Sequence, residues 1–409
     1  MSTAEARITA PGVLPRLLTD IRAERALSLG EHAAAFGPLP RPDRVIEVVD
    51  AAGLRGRGGA AFPTAEKLRA VAAARGRPVV VANGVEGEPA SSKDRALCRL
   101  SPHLVLDGAV LAAGAVRARR AVVGIADRAA AHNMARALAE RRGRDGVEVV
   151  LATVPDGFVA GEETALLRAL EGGAPKPTLK PPYPFERGLE RLPTLVQNVE
   201  TLAHLALAAR FGAAWFRSAG TADAPGTALV TLGGAVKQPG VHEIELGGTL
   251  EDLVAQLGGV TAGISGFLVG GYFGGWVAAR DAASLRITPD ALGAGAIVAL
   301  PEHVCAVSEC ARVLRYLAGE SAGQCGPCIH GLAAIAGAAE GLARGDRTRS
   351  DRTALLARWA DQVRGRGACR HPDGAARFVE TALQVFAADF EAHARRGACG
   401  RRPGQVLPL

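Results

Sequence analysis

Between Asp43 and Gly220, short β-rich runs alternate with stretches in which apolar residues recur every three to four positions. "RPVVVANG", "RRAVVGIA" and "VEVVLATVP" are continuous apolar runs bounded by turn residues, which predicts buried strands, and the Ala-rich segments after them predict helices. Strands interleaved with helices argue an α/β domain on a largely parallel sheet. From about residue 226 the period changes. "GTALVTLGGAVKQPGVHEIELGG" predicts a strand, a turn at Gln238, Pro239 and Gly240, and a second strand. "TLEDLVAQLGG" predicts a short helix closed by glycines and "GFLVGGYF" another strand, together a small β-grasp-like module. After about residue 302 strand signals stop. "EHVCAVSECARVLRYLAG", "GLAAIAGAAEGLARG", "RTALLARWADQVRG" and "GAARFVETALQVFAADFEAHARR" predict four amphipathic helices. The expected boundaries are an N-terminal segment over 1–42, the α/β domain over 43–222, the β-grasp module over 223–300, the helical domain over 301–396 and a tail over 397–409.

Composition narrows the classes. Of the 409 residues 48% are apolar, enough for a large core. The net charge of +7 is spread without a long block of one sign, which argues against nucleic acid as the partner. No uninterrupted apolar stretch has the length of a membrane span, and "MSTAEARITAPGVLPRLL" lacks the basic head and apolar run of a secretory signal. Seven cysteines, three of them in a metal-like pattern, fit reduced thiols and a cytoplasmic location better than a disulfide framework.

Candidate chemistry sits in four places. "GLRGRGGAAFPT" carries G-x-G-x-x-A at Gly56, Gly58 and Ala61, but no acid closes a second strand some twenty residues on, so a Rossmann site and an organic-acid dehydrogenase are disfavoured. The glycines instead suit close backbone approach to a planar or phosphorylated ligand. "VVVANGVEGEPASSKDR" ends a strand at Asn83 and follows it with Glu86, Glu88, Lys93, Asp94 and Arg95, at the strand end where α/β sheets bind ligands. "GFVAGEETALLRALEG" places Glu162 and Glu163 at a helix start, where carboxylates also simply suit the helix dipole. "ESAGQCGPCIHGL" offers Cys325 and Cys328 as a C-x-x-C pair, joined by Cys369 in "GACRHPDG". That spacing suits an iron–sulfur centre, with zinc on three cysteines and a histidine as the alternative. Cys98, Cys305 and Cys310 read as core cysteines.

These elements, followed in order by "LKPPYP" and "QNVETLAHL", resemble the NADH-binding flavoprotein subunit of respiratory complex I and its relatives in NAD-linked hydrogenases and formate dehydrogenases. The family pattern is GRGGAGFPTG, NADEGEPGTFKDR, GEETAL, LKPPFP, NNVETL and SCGxCTPCRxG with a later lone cysteine. The resemblance runs from about residue 44 to 390. It implies a flavin-binding α/β domain, a β-grasp module of the soluble-ligand-binding type and a C-terminal four-helix iron–sulfur bundle. It implies oxidation of NADH or NADPH by hydride transfer to FMN, with single electrons leaving through a [4Fe–4S] or [3Fe–4S] cluster. The acceptor would be a ferredoxin-like or other redox partner, through which the chain could associate with a membrane. The competing expectation is a degenerate member that serves only as a binding or structural module.

Residue by residue, the resemblance implies that Gly56, Gly58 and Gly59 shape the flavin pocket. Lys67, Asn83, Gly161, Glu162, Glu163, Asn198 and Thr201 would hold FMN, Phe62, Glu88, Glu163, Lys180 and Tyr183 would contact NAD(H), and Glu86 is a further cofactor-binding candidate. Hydride transfer needs no protein acid or base, so no catalytic residue is expected, Glu163 being the nearest candidate. Cys325, Cys328 and Cys369 would bind the cluster. Ala322 stands where the family has its first ligand, leaving Cys399, His330, His371 or nothing as the fourth. Other departures are Val85 for a flavin-bonding Asp, Phe158 for Tyr, Gln197 for Asn, Ala61 for Gly, and Ala70 where an aromatic ring would clamp adenine opposite Tyr183. Each lost bond or stacking partner is worth about 1–3 kcal/mol, so weakened FMN and NADH binding is expected.

Overall fold

The computed structural model describes residues 14–18, 25–346 and 352–409; part of the N-terminal segment expected over 1–42 therefore lies outside the described residues. Four parallel strands, β1 (Val79–Gly84), β2 (Arg120–Ile125), β3 (Glu148–Thr153) and β4 (Thr194–Asn198), form a sheet in the order β3-β2-β1-β4. The three apolar runs read from the sequence are β1, β2 and β3. β4 is not legible there because its apolar core, Leu195 and Val196, is only two residues long. The chain moves outward from β1 to β3 and then returns to the other side of β1. That reversal opens a crevice at the carboxyl ends of β1 and β4, the topological switch point where such sheets bind ligands. Beneath the sheet, the buried helices Pro102–Ala115 and Val199–Phe211 pack tightly, and a Cβ at Gly108 would lie 2.0 Å from the Leu202 carbonyl oxygen.

A second, mixed sheet follows: β5 (Thr227–Gly234), β6 (Gly240–Glu245), β7 (Ile264–Val269), β8 (Gly275–Ala278) and β9 (Ala296–Pro301), in the order β6-β5-β9-β7-β8. The parallel pair β5–β9 at its centre, flanked by antiparallel neighbours and crossed by the helix Leu250–Gln256, is the β-grasp arrangement. β8 and β9 are additions to the strands expected from the pattern.

The remainder is helical. Ala306–Gly319, Ala333–Ala343, Arg352–Val363 and His371–Val385 make the four-helix bundle. The last expected helix is broken at Phe386, and Ala387–Arg396 continues separately. Cys328 lies on a wide, π-type turn, Pro327–Leu332, that leads into the second helix. The tail does not hang free. The Val406 and Leu407 amides donate to Glu309 Oε2 at 3.0 and 2.9 Å, and Leu407 is fully buried. No single described helix is long and apolar enough to cross a membrane. The bent pair that comes nearest, Lys93–Leu100 and Pro102–Ala115, carries much of the core of the α/β domain.

Candidate functional site

Asn83, next to last in β1, and Asn198, the last residue of β4, are register partners at the switch point. Asn83 Nδ2 donates to the Gly161 carbonyl (2.8 Å), which ties the third motif to the second, and Asn83 Oδ1 accepts from the Val85 amide (3.1 Å). Asn198 Oδ1 caps the helix Val199–Phe211, accepting from the Glu200 amide at 2.9 Å and more weakly from the Thr201 amide. Glu162 likewise caps Glu163–Leu170, accepting from the Thr164 and Ala165 amides at 2.8 and 3.0 Å. The glycine-rich loop folds against the same end. The Gly56 amide donates to the Phe62 carbonyl (2.9 Å), the Arg57 amide donates to Thr201 Oγ1 (2.8 Å), and a Cβ on Gly58 would press on Asn198 Cβ at 3.1 Å. Gly59 takes φ +102°, a conformation that favours glycine. Gly56, Gly58, Gly59, Asn83, Gly161, Glu162, Asn198 and Thr201 are thus brought together around two helix N-termini, a setting suited to an anionic ligand.

A charged cluster faces this crevice. Glu163 Oε2 accepts from Lys67 Nζ (3.1 Å) and its Oε1 from Lys180 Nζ (2.6 Å), while Lys180 also reaches Glu162 Oε1 at 2.9 Å. Burial works against charge on both partners, but the two lysines hold the Glu163 carboxyl below its usual range, and Glu163 with Glu162 holds Lys180 above its own. The four side chains remain about a quarter exposed, so the cluster opens to solvent. Phe62, just before the Lys67 helix, is 51% exposed; Leu179 and Tyr183, near Lys180, are 71% and 46% exposed. Such apolar side chains beside convergent charges suit a flat, partly aromatic, anionic ligand. Ala70, one turn beyond Lys67, adds no ring opposite Tyr183.

Two expected ligand contacts, Glu86 and Glu88, make their hydrogen bonds within the protein. Glu86 is buried, and its carboxylate accepts from Ser91 Oγ (2.6 Å), from the Asp94 and Arg95 amides and from Arg95 Nε (all 3.1 Å). It organises the start of the helix Lys93–Leu100. Glu88 turns toward the β-grasp module, where its Oε2 accepts from the Tyr272 amide (2.7 Å) and its Oε1 from the Ala90 amide (3.0 Å). Burial pushes the Glu88 carboxyl up to about 7 against those two bonds. The sequence supplied both acids but not their direction. Val85 is also explained locally, for it packs in an apolar cluster with Ala160 and Leu166.

Sequence reasoning missed the buried ionic layer beneath the crevice. Lys93 Nζ contacts Asp94 Oδ1 at 2.7 Å and Glu200 Oε2 at 2.9 Å, Arg57 Nε approaches Glu200 Oε1 at 3.8 Å, and Asp94 Oδ2 accepts from Asn198 Nδ2 at 2.7 Å. Lys93 and Asp94 were visible as charges after β1. Arg57 and Glu200 lie inside the quoted motifs, and only the fold reveals them as buried counter-charges. Burial works against the Lys93 ammonium, yet Asp94 and Glu200 outweigh it and hold the group above its usual range.

The cysteine loop abuts this crevice. The Phe158 amide donates to Glu320 Oε2 and Gln324 Nε2 donates to the Pro177 carbonyl, both at 2.8 Å, so the loop is pinned to both segments that flank the charged cluster. Phe158 sits edge-on to Phe273 and His371, with ring centres 4.8 and 5.5 Å apart. Cys325 and Cys328 stand at the start of the π-type turn and Cys369 just before the helix His371–Val385, all three as free thiols near enough for charge on Cys325 or Cys369 to push Cys328 up. Three free thiols brought to one loop are the donors an iron–sulfur cluster takes from its protein, so these residues fit one. Of the three proposed fourth ligands, His330 is exposed and Cys399 gathers instead with Cys305 and His393. His371 is 1% exposed; its Nε2 donates to the Leu317 carbonyl (2.7 Å), which leaves a buried Nδ1 lone pair without a partner among the described residues.

A switch-point cleft with glycine, asparagine and lysine walls, joined to a loop of free cysteines, defines a flavin- and iron–sulfur-dependent oxidoreductase. The chain matches the Nuo51 FMN-binding domain over residues 49–207, the SLBB domain over 229–265 and the NADH-ubiquinone oxidoreductase-F iron-sulfur binding region over 308–393. It is 34% identical over 381 residues to the second F subunit of the NADH-quinone oxidoreductase of Rhizobium meliloti (strain 1021), covering 88% of this chain and 90% of that protein. It is 34% identical over 385 residues to the NADH-quinone oxidoreductase F subunit of Mycobacterium tuberculosis (strain ATCC 25618 / H37Rv), covering 88% and 86%. Among solved structures it superposes on an NAD+-reducing [NiFe]-hydrogenase in the air-oxidized state with TM-score 0.79 and 31% identity, over 90% of this chain and 64% of that one. The chain belongs to the family of NADH-quinone oxidoreductase F subunits.

Proposed function

We propose that this chain is the NADH-oxidising member of a multi-subunit redox assembly, that it works in the cytoplasm, and that it delivers single electrons to a ferredoxin-like partner. FMN and the cluster, when bound, convert the two-electron nicotinamide couple into one-electron steps. The chain's own residues do the positioning. Gly56, Gly58 and Gly59 admit a planar group without side-chain obstruction, and Asn83, Gly161, Asn198 and Thr201 hold the wall rigid through the bonds described above. Lys67 and Lys180, held ready by Glu162 and Glu163, supply the positive charge for an anionic dinucleotide, and Phe62 and Tyr183 supply its apolar rim. Glu86 and Glu88 act at one remove, by fixing the loop after β1 and its contact with Tyr272. Cys325, Cys328 and Cys369 hold the cluster, and His371 Nδ1 is the donor we assign to its fourth position.

The observation that carries this reading is the direct joint between cleft and cysteine loop, made by Phe158–Glu320 and Gln324–Pro177. Protein purified without oxygen should contain FMN, iron and acid-labile sulfide and should reduce ferricyanide with NADH. A colourless chain, or a flavin that NADH does not reduce, overturns the proposal. For His371, a His371→Ala chain that keeps the wild-type EPR signal removes it from the ligand set.

A further inference from the structure

We infer that Cys305, His393 and Cys399 form a second metal site, for a single zinc ion, separate from the iron–sulfur loop. The three residues come from the cap of the bundle's first helix, from the helix Ala387–Arg396 and from the tail, and one donor atom of each lies within 4.8 Å of the other two. A tetrahedral zinc with bonds of about 2.3 Å to sulfur and about 2.0 Å to nitrogen keeps its donors roughly 3.5–4 Å apart. Cys305 Sγ and His393 Nε2 are already 3.2 Å apart. A polynuclear cluster spreads its thiolates more widely, so this constellation suits one ion.

The imidazole is set for the task. His393 Nδ1 lies 2.9 Å from the Leu342 carbonyl, which can only accept, so Nδ1 carries the proton and Nε2 presents its lone pair to Cys305. Cys305 occupies the cap position of the helix Ala306–Gly319, taking only a 3.4 Å bond from the Ser308 amide. A hydroxyl or carboxamide would cap better, so capping alone gives sulfur no advantage there. Cys399 is delivered by a pinned tail: the Cys305 amide donates to the Arg402 carbonyl (2.8 Å) and the Arg402 amide to the His303 carbonyl (3.0 Å). Cys305 and His393 are nearly inaccessible, at 2% and 6% exposure, while Cys399 is half-buried and gives an access path. On binding, the two thiols release their protons to solvent, and Zn2+ with two thiolates and a neutral imidazole is uncharged overall. That is the state a buried site tolerates. Three protein donors leave one position for water. Zinc here would staple the tail to the first helix of the bundle and to the helix Ala387–Arg396.

The test is metal analysis of the full chain from zinc-supplemented cultures, together with a Cys325→Ser/Cys328→Ser/Cys369→Ser chain, a Cys399→Ser chain and a Cys305→Ser chain. The expected result is one zinc per chain in the wild type and in the triple variant, whose iron is gone, and loss of most zinc in the two single variants. Cys399→Ser alters a half-exposed tail residue, so its fold is checked by circular dichroism and its zinc loss read against a folded chain. Cobalt added to the iron-free triple variant should give thiolate charge-transfer and tetrahedral ligand-field absorption. A wild type without zinc, zinc lost from the triple variant but kept by Cys399→Ser, or thiol counting that finds a Cys305–Cys399 disulfide would each overturn the inference.

Discussion

Replacing Lys93 by methionine keeps nearly the same shape and removes one charge from the layer under Asn198. Lys93 is 2% exposed and lies 2.7 Å from Asp94 Oδ1 and 2.9 Å from Glu200 Oε2. In an effective dielectric of about 20 each contact is worth about 6 kcal/mol, and removing the ammonium also removes its own desolvation cost of several kcal/mol. Truncating one partner of a buried ionic group leaves a net loss of about 3–5 kcal/mol. The loss should depend on pH. Burial already pushes the Asp94 carboxyl up, to about 7, with Lys93 opposing it. Without Lys93 its folded value climbs further above the unfolded one, so the variant loses stability as pH rises through that interval and regains it as the carboxyl protonates. Urea unfolding at pH 5 and pH 8 should therefore show the larger deficit at pH 8, and adding Glu200→Gln to the variant should restore part of it. FMN retention should fall in parallel, because Asp94 holds Asn198. A deficit below about 1 kcal/mol, or one equal at both pH values, would refute this account of the layer.

Lys180→Met should raise KM for NADH by about tenfold or more with a smaller change in kcat, since a charge-assisted bond to a ligand is worth about 1.5–3 kcal/mol; an unchanged KM with a fallen kcat contradicts the role given to it. Its effect on stability should stay within about 1 kcal/mol, because the ion pairs it breaks are partly exposed. Gly87→Ala would place a Cβ 2.4 Å from the Gly157 carbonyl oxygen and 2.7 Å from that of Phe158. Overpacking of this kind costs about 1–3 kcal/mol, and displacement of the Phe158 loop should appear as lost flavin in the purified protein. Ala322→Cys restores the family's first cluster ligand at a buried position. It should increase iron retention in air and change the EPR spectrum, and an identical spectrum would show that residue 322 does not face the cluster.

Much of the site was legible because its motifs are local. The G-x-G-x-x-A loop, the acids after β1, the Glu162–Glu163 pair at a helix start and the C-x-x-C turn are each set by a few neighbouring residues, and turn and cap chemistry acts over that range. The Glu162 carboxylate both caps its helix and bonds Lys180, so one side chain serves the helix start and the charged cluster. Legibility ended where direction or convergence mattered. Glu88 looked like a ligand contact and faces Tyr272; Cys399 looked like a cluster ligand and stands with Cys305 and His393.

The sequence by itself determined the succession of a parallel α/β domain, a β-grasp module and a helical bundle, and the family to which its ordered motifs point. Its hydrophobic periods and glycine positions are short-range quantities that survive without knowledge of the fold. Only the tertiary structure decided that β4 returns beside β1, which makes partners of Asn83 and Asn198, and that Arg57, Lys93, Asp94 and Glu200 share one buried layer. Pairing of distant strands and neutralisation of buried charges depend on which surfaces exclude water together, and no local stretch of chain carries that information.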